Sequence, residues 1–224
     1  MSVSVILAAY NEAGTIEQIV RGCLEHTPDL VEVIVVDDGS ADATSKLAEA
    51  AGATVYRLPT NRGKGVAVRH GIEKARGEVL LFLDADGQDD PREIPKLVEA
   101  LEPGVEMVVG SRFLGSFGDG AITPLNRAGN RLLTGVVNAL FGARLTDTQA
   151  GFRAVRRGAA ERAGLSADRY DIEVDLLLSV LRSRGRVVEV PVSRAPRRFG
   201  RSSLDSFRDG TRILLRILHK RAGG

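Results

Sequence analysis

The stretch VLLFLDADGQDDP, residues 79–91, runs from continuous apolar residues into four carboxylates within seven positions. Val79 to Leu83 are apolar without alternation, and the run is short. That is the pattern of a strand covered on both faces, as in a parallel sheet. Open α/β sheets place their ligands beyond the carboxyl ends of such strands. Carboxylates gathered at that edge repel one another, so something must neutralise them. Asp89 and Asp90 fit a solvated turn, with Asp90 capping a helix that opens at Pro91. Asp84 and Asp86 are read instead as facing a bound cation.

Similar strand-like runs recur at 3–8, 32–36, 53–58 and 106–109. Helix-like stretches separate them at about 13–26, 41–51, 64–76 and 91–101, with Asn11, Ser40 and Asn61 near helix starts as capping residues. This alternation predicts a doubly wound, mostly parallel α/β sheet flanked by helices. Beyond residue 110 the pattern loosens. LGSFGDGAITP (114–124) reads as a mobile loop, followed by a helix near 125–141, a helix over 171–184 and a strand over 186–192. SRAPRRFGRSS (193–203) reads as a second flexible, basic segment, and a helix near 204–221 follows. With 224 residues, 43% of them apolar and 27% charged, the chain suits one soluble globular domain.

Charge is distributed unevenly. Residues 1–152 hold 14 Lys/Arg against 21 Asp/Glu, net −7, whereas residues 153–224 hold 17 against 8, net +9. A basic tail behind an acidic front implies an anionic partner for the tail. Aromatic residues form only 4% of the chain, which argues against stacking platforms for nucleic acid. The lone Cys23 excludes an internal disulfide and fits a reducing compartment. MSVSVILAAYNE reads as a first strand and not as a signal peptide, and no stretch has the apolar length to cross a bilayer.

Three polar clusters fall at carboxyl ends of expected strands: AAYNE (8–12), VDDGS (36–40) and DADGQ (84–88). A parallel sheet brings such ends to one edge, so the three line one crevice. Asp38 or Asp37 there can accept a hydrogen bond from a nucleobase ring N–H, although Asp38-Gly39-Ser40 is also a common turn and cap. NRGKG (61–65) opens a helix with two glycines and two cations, which suits a phosphate at Lys64; a plain helix start explains it as well. Asp84, Asp86 and Gln88 offer only oxygen ligands, a set for Mg²⁺ or Mn²⁺ and not for zinc.

ILAAYNEAGTI, VIVVDDGSADAT, NRGKGVAVRHGI and LFLDADGQDDP together resemble the family 2 glycosyltransferases over residues 3–112. VGSRF (109–113) and DTQAGFRAVRR (147–157) narrow the resemblance to dolichyl- and polyprenyl-phosphate mannosyl- and glucosyltransferases. The resemblance implies a GT-A type fold, with residues 1–112 binding the nucleotide sugar and 113–224 the acceptor within one domain. It implies Asp84, Asp86 and Gln88 as metal-site residues, Tyr10, Glu12 and Asp38 around the nucleotide, and Arg112 at the reacting phosphates; Ala9, Lys64, Asp84 and Ala85 are expected to join the nucleotide site. The expected reaction is inverting, metal-dependent transfer of one sugar from a GDP-mannose or UDP-glucose type donor to a polyprenyl phosphate. Processive members carry a Gln-x-x-Arg-Trp motif, and a chain without Trp favours a single transfer.

A phosphate monoester acceptor is already largely ionised near neutral pH, so no general base is needed. Two anionic groups must be held together instead, a task for guanidinium forks. The candidates are Arg112, Arg127 and Arg131, the last two sharing a helix face, then Arg197 and Arg201 of the basic segment with Arg198 between them. Asp86, Arg112 and Arg127 form the expected catalytic set. Relatives of this type carry Gly-x-Ser-Lys where this chain reads Gly200-Arg201-Ser202-Ser203. Asp147 and Gln149 are expected to hold the backbone of their own segment. Asp171, Glu173 and Asp175 read as first-turn acids complementing a helix dipole, while the resemblance leaves Glu173 near the acceptor. His26, His70 and His219 read as structural.

Arg208, Arg212, Arg216 and Lys220 recur every four residues in the last helix. Such a helix lies on an anionic bilayer or caps the core with a solvated basic face. With a lipid acceptor, the expected location is cytoplasmic, peripheral on the inner face of the cell membrane. Two rival readings stand beside this one. A soluble sugar or glycan hydroxyl as acceptor would need a carboxylate base, for which Asp147 or Asp119 would serve. A catalytically inactive membrane-surface module would have no use for the clustered acids. No G-x-G-x-x-G follows the first strand, which disfavours a dinucleotide enzyme.

Overall fold

The computed structural model describes residues 1–200 and 205–222. In chain order the elements are β1 (Val3–Ala9), α1 (Ile16–His26), β2 (Leu30–Asp37), α2 (Thr44–Ala50), β3 (Thr54–Arg57), α3 (Lys64–Lys74) and β4 (Val79–Phe82). A 3₁₀ turn over Pro91–Glu93 leads into α4 (Ile94–Glu99), followed by β5 (Val105–Phe117), α5 (Pro124–Phe141), β6 (Arg153–Arg156), α6 (Arg157–Arg162), α7 (Ile172–Arg182), β7 (Arg186–Arg194) and α8 (Ser206–Arg221). The seven strands form one sheet in the order β3-β2-β1-β4-β6-β5-β7. β1 pairs in parallel with β2 and β4, and β5 with β7; β6 is antiparallel to both of its neighbours.

The continuous apolar runs are buried on both faces. Along β1, Val3, Val5 and Leu7 join the core beneath α1 and α4, while Ile6 joins the core beneath α3 and α7. Along β4, Val79 and Leu81 face the first core, Leu80 and Phe82 the second. A smaller third core of Val137, Val174, Leu178, Ile213 and Ile217 ties α5, α7 and α8 together. Each apolar strand side chain so buried contributes about 1.5–3 kcal/mol, which fixes the strand register and with it the strand ends.

Several local expectations change. Asp90 does cap the turn at Pro91, accepting from the Arg92 N–H. Asn11 and Ser40 do not cap helices: the Asn11 N–H donates to Ser40 Oγ and Asn11 Oδ1 accepts from the Ala41 N–H, cross-linking the loops after β1 and β2. Asn61 is no cap either, because α3 is preceded by Gly63. The expected mobile loop starts later, since Leu114 to Phe117 continue β5 and pair with β7 at Ser193 and Arg194. A Cβ on Gly115 would fall 2.0 Å from the Val192 carbonyl oxygen, so glycine there admits the close approach of two strands.

Candidate active site

The carboxyl ends of β1, β2 and β4 open into a cleft of about 1260 Å³, walled on the far side by α5, α8 and the segment after β7. Ala9, Tyr10, Glu12, Asp38, Lys64, Asp84, Ala85, Asp86, Gln88, Arg112 and Arg197 all line it. Parallel strands explain the convergence: each chain segment leaves the sheet at the same edge.

The acids at that edge are neutralised by cations from distant segments. Arg194, the last residue of β7, donates Nη1 to Asp89 Oδ1 at 2.6 Å and Nη2 to Asp84 Oδ2 at 3.1 Å and Gln88 Oε1 at 3.0 Å. The same Nη2 lies 3.6 Å from Asp86 Oδ2. Lys64 Nζ stands 2.5 Å from both Asp84 Oδ1 and Glu173 Oε1. Arg197 bridges Glu12 Oε1 at 3.0 Å and Asp86 Oδ2 at 3.1 Å. Asp89 is therefore not in a solvated turn. It is buried, and its Oδ2 accepts the Asp84 backbone N–H.

Protonation equilibria follow these contacts. Burial would raise Asp84, but Lys64 and Arg194 outweigh it and hold its carboxyl well below the usual range. Asp86 moves the other way, pushed up by burial and by the Asp84 charge against the pull of Arg194. Burial also lifts Glu12 despite Arg197. Lys64 is held protonated by Asp84 and Glu173, although burial alone would lower it.

Asp38 lies in the cleft with both oxygens engaged, Oδ1 by the Arg62 N–H at 2.7 Å and Oδ2 by the Gly63 N–H at 2.8 Å. Gly63 has φ +102°, and a Cβ there would meet the Asp168 carbonyl oxygen at 2.4 Å. The glycines of NRGKG thus serve backbone packing against residues 167–168, while Lys64 reaches carboxylates.

On the opposite wall, Arg112 forks onto the buried Asp147, with Nε to Oδ2 at 2.7 Å and Nη2 to Oδ1 at 2.8 Å. Asn130 of α5 donates to the same carboxylate at 3.1 Å. Burial would raise Asp147, but the Arg112 hydrogen bonds and charge keep it below the ordinary range. Asp147 positions Arg112; the backbone of its segment is held by Glu189, which accepts from the Thr146 and Asp147 N–H groups, and by Arg153. Buried Arg153 donates to the carbonyls of Thr148, Ala150 and Glu173, and burial brings it down to about 10. Arg127 and Arg131 are not among the cleft-lining residues: they stack over Phe117 and Phe113 at 4.8 and 5.6 Å. Arg201 lies outside the described residues.

Sequence reasoning did not single out Arg194, although four acids in seven positions signal that a buried cation must exist. Glu173, read mainly as a dipole residue, lines the cleft with one oxygen on Lys64; its Oε2 is buried without a hydrogen-bond partner among the described residues. Asp171 and Asp175 are buried instead against α8, paired with Arg216 and Lys220, each at 2.9 Å. Two cations of the basic stripe therefore face the core, while Leu215 and Leu218 of α8 are exposed.

Among the described residues no three Asp, Glu, His or Cys side chains converge as a closed metal cage. Oxygen donors at Asp86, in an ion-paired group richer in carboxylates than in cations, suit a hard divalent ion that takes its remaining ligands from substrate phosphates.

Residues 4–164 match the model of glycosyl transferase family 2. The chain is 33% identical over 221 residues to the glycosyltransferase AglJ of Haloferax volcanii, covering 98% of this chain and 72% of AglJ. It is 33% identical over 217 residues to the polyprenol monophosphomannose synthase of Mycolicibacterium smegmatis, covering 89% of this chain and 80% of that protein. A crystal structure of glucosyl-3-phosphoglycerate synthase from Mycobacterium tuberculosis, in complex with Mn²⁺, uridine-diphosphate-glucose and phosphoglyceric acid, superposes with a TM-score of 0.80 at 25% identity, covering 99% of this chain and 80% of that one. A mixed sheet with its acids gathered at one edge, and a family match over most of the chain, lead to one conclusion: this protein belongs to glycosyl transferase family 2 and is a glycosyltransferase of GT-A architecture.

Proposed function

We propose that the enzyme transfers one sugar, with inversion, from a nucleotide diphosphate sugar of the GDP-mannose or UDP-glucose type to a polyprenyl or dolichyl phosphate. The observation that carries this reading is the division of the cleft. One wall is a charged strand edge; the other joins Arg112 to apolar residues Leu125, Leu132 and Leu133 of α5 and Phe207, Ile213 and Leu214 of α8. A phosphate on a long apolar tail needs both kinds of surface in one place. The polyprenol monophosphomannose synthase relative supports such an acceptor by its name.

Residues 1–112 form the donor half in this reading, with Ala9, Tyr10, Glu12, Asp38 and Ala85 around the nucleotide. Each Asp38 oxygen keeps a lone pair beyond its backbone N–H bond, so a base N–H still has an acceptor there. Asp86 would hold Mg²⁺ or Mn²⁺ together with the donor diphosphate, where the ion neutralises the departing diphosphate. Asp84 and Gln88 support Asp86 through Arg194. Arg112, preset by Asp147, grips the acceptor phosphate, whose oxygen attacks the anomeric carbon opposite the leaving diphosphate. Arg127 and Arg131 act from behind, backing the β5 strand that carries Arg112.

An acceptor hydroxyl would need a base. Asp147 is spent on Arg112, and Asp119 is exposed and does not line the cleft. Two observations favour that second reading: Glu173, whose Oε2 is without a partner among the described residues, and the phosphoglyceric acid, a soluble acceptor, in the structure of the glucosyl-3-phosphoglycerate synthase neighbour. No helix among the described residues is long and apolar enough to cross a membrane. Attachment to a membrane surface would use the exposed apolar residues of α5 and α8, Leu132 at 70% and Phe207 at 78% exposure. The deciding experiment offers a panel of nucleotide sugars with a short-chain polyprenyl phosphate and, in parallel, soluble sugars. Lipid-linked product that disappears with EDTA is expected; product only on soluble hydroxyls, lost in Glu173→Gln, would establish the second reading.

A further inference from the structure

The network at the strand ends divides its cations by how firmly each is held. Arg194 is buried, ends a sheet strand and touches Asp84, Asp89 and Gln88, while its backbone bridges to Asp89. Lys64 begins α3 and is locked between Asp84 and Glu173. Arg197 differs. It lies on irregular chain after β7, lines the cleft and, among the described residues, hydrogen-bonds only Glu12, Asp86 and the Phe199 carbonyl. Beyond it the chain is seated by Phe199 against Gly14, where an added Cβ would fall 2.8 Å from the Phe199 ring.

From this contrast we propose that Arg197 is an exchangeable counter-ion, occupying Glu12 and Asp86 until the donor's divalent cation takes its place, whereas Arg194 and Lys64 keep Asp84 and Asp89 permanently paired. The inference rests on the metal-dependent donor reading above. A divalent ion at Asp86 Oδ2 would be repelled by the two guanidinium groups already near that oxygen, Arg197 at 3.1 Å and Arg194 at 3.6 Å, and Arg197 is the nearer one and the one that can leave without breaking the sheet. Once released, its guanidinium is free for an anion, and the donor and acceptor phosphates are the anions that enter with the metal. Arg197 thus links loading of the donor to the position of the segment over the cleft.

The test is Mn²⁺ titration of the full chain without nucleotide, followed by the electron paramagnetic resonance signal of free Mn²⁺. Removing a competing, partly exposed ion pair in Arg197→Gln should tighten Mn²⁺ binding about five-fold, with Arg197→Lys between the two. Gly14→Ala keeps every charge and unseats only Phe199, so it should tighten binding in the same direction by less. Unchanged or weaker binding in Arg197→Gln overturns the exchange. Tightening in Arg197→Gln without any in Gly14→Ala would mark a mere change of net charge and overturn it too. Transfer by the wild type with Mn²⁺ and with EDTA, assayed separately, tells failure of the metal-dependent reading from failure of this one.

Discussion

Two buried groups of charges sit on opposite sides of α7 and are built differently. Behind it, Asp171 and Asp175 meet Arg216 and Lys220 of α8, two acids against two cations. In front, the ion pairs at the strand ends connect five carboxylates, Glu12, Asp84, Asp86, Asp89 and Glu173, to three cations, Lys64, Arg194 and Arg197. The balanced group has its electrostatics complete and anchors a helix. Even with the buried Arg153, whose charge acts on Glu173 and Asp84, the group in the cleft is short of positive charge among the described residues, and burial makes that shortage expensive. Charge balance separates a structural cluster from one that awaits a ligand.

Breaking the balanced group should cost stability and little else. Lys220→Met strips the buried Asp175 of its close cation, leaving only Arg216 at 4.0 Å among the described residues, and should destabilise the fold by about 3–5 kcal/mol in denaturant titration. Nucleotide affinity per folded molecule should not change. Asp86→Asn acts oppositely: it removes one charge from the overloaded group, so transfer should fall about a hundred-fold while the melting temperature holds or rises. A large loss of stability in Asp86→Asn would erase the distinction.

What the sequence disclosed tracks these two groups unequally. The 79–83 run announced a doubly buried strand because both faces are apolar, and the polar ends of β1, β2 and β4 converge because parallel strands share an edge. Asp90 and Pro91 marked their turn by local chemistry alone. Arg194 was hidden because it pairs with acids 105 to 110 positions away, and nothing local distinguishes it from neighbouring arginines. β6 was missed because it is four residues, RAVR, with an arginine at each end, one of which is buried against backbone carbonyls. Leu114 to Phe117 read as loop because small residues that permit close strand packing have the composition of a loop.

Asp38→Ala should weaken nucleotide binding several-fold, since a hydrogen bond to a neutral N–H is worth about 0.5–1.5 kcal/mol. It should also lower stability, because the Arg62 and Gly63 N–H groups lose their acceptor. The pH response carries the same signature. Glu12 and Asp86 have raised folded values, so the folded state binds their protons more tightly than the unfolded chain. Stability of the ligand-free protein should therefore increase as pH falls from neutral through those raised values. It should drop only at lower pH, where Asp84 and Asp147, both depressed, finally protonate. A monitored melt across that range in wild type and Asp86→Asn should show a reduced initial rise in the variant. Least of all, Arg127→Lys should cost about 0.5–1 kcal/mol through its weakened stacking on Phe117 and reduce transfer less than Arg112→Lys does.

In the proposed reaction a divalent cation and a nucleoside diphosphate together complete the unbalanced cleft. Calorimetric titration of UDP and GDP into the wild-type chain, with Mn²⁺ and with EDTA, tests it directly. Binding of one of the two nucleotides at least ten-fold tighter with Mn²⁺, an enhancement lost in Asp86→Asn, is the predicted result. Equal affinity with Mn²⁺ and EDTA, or an enhancement that survives in Asp86→Asn, would contradict it.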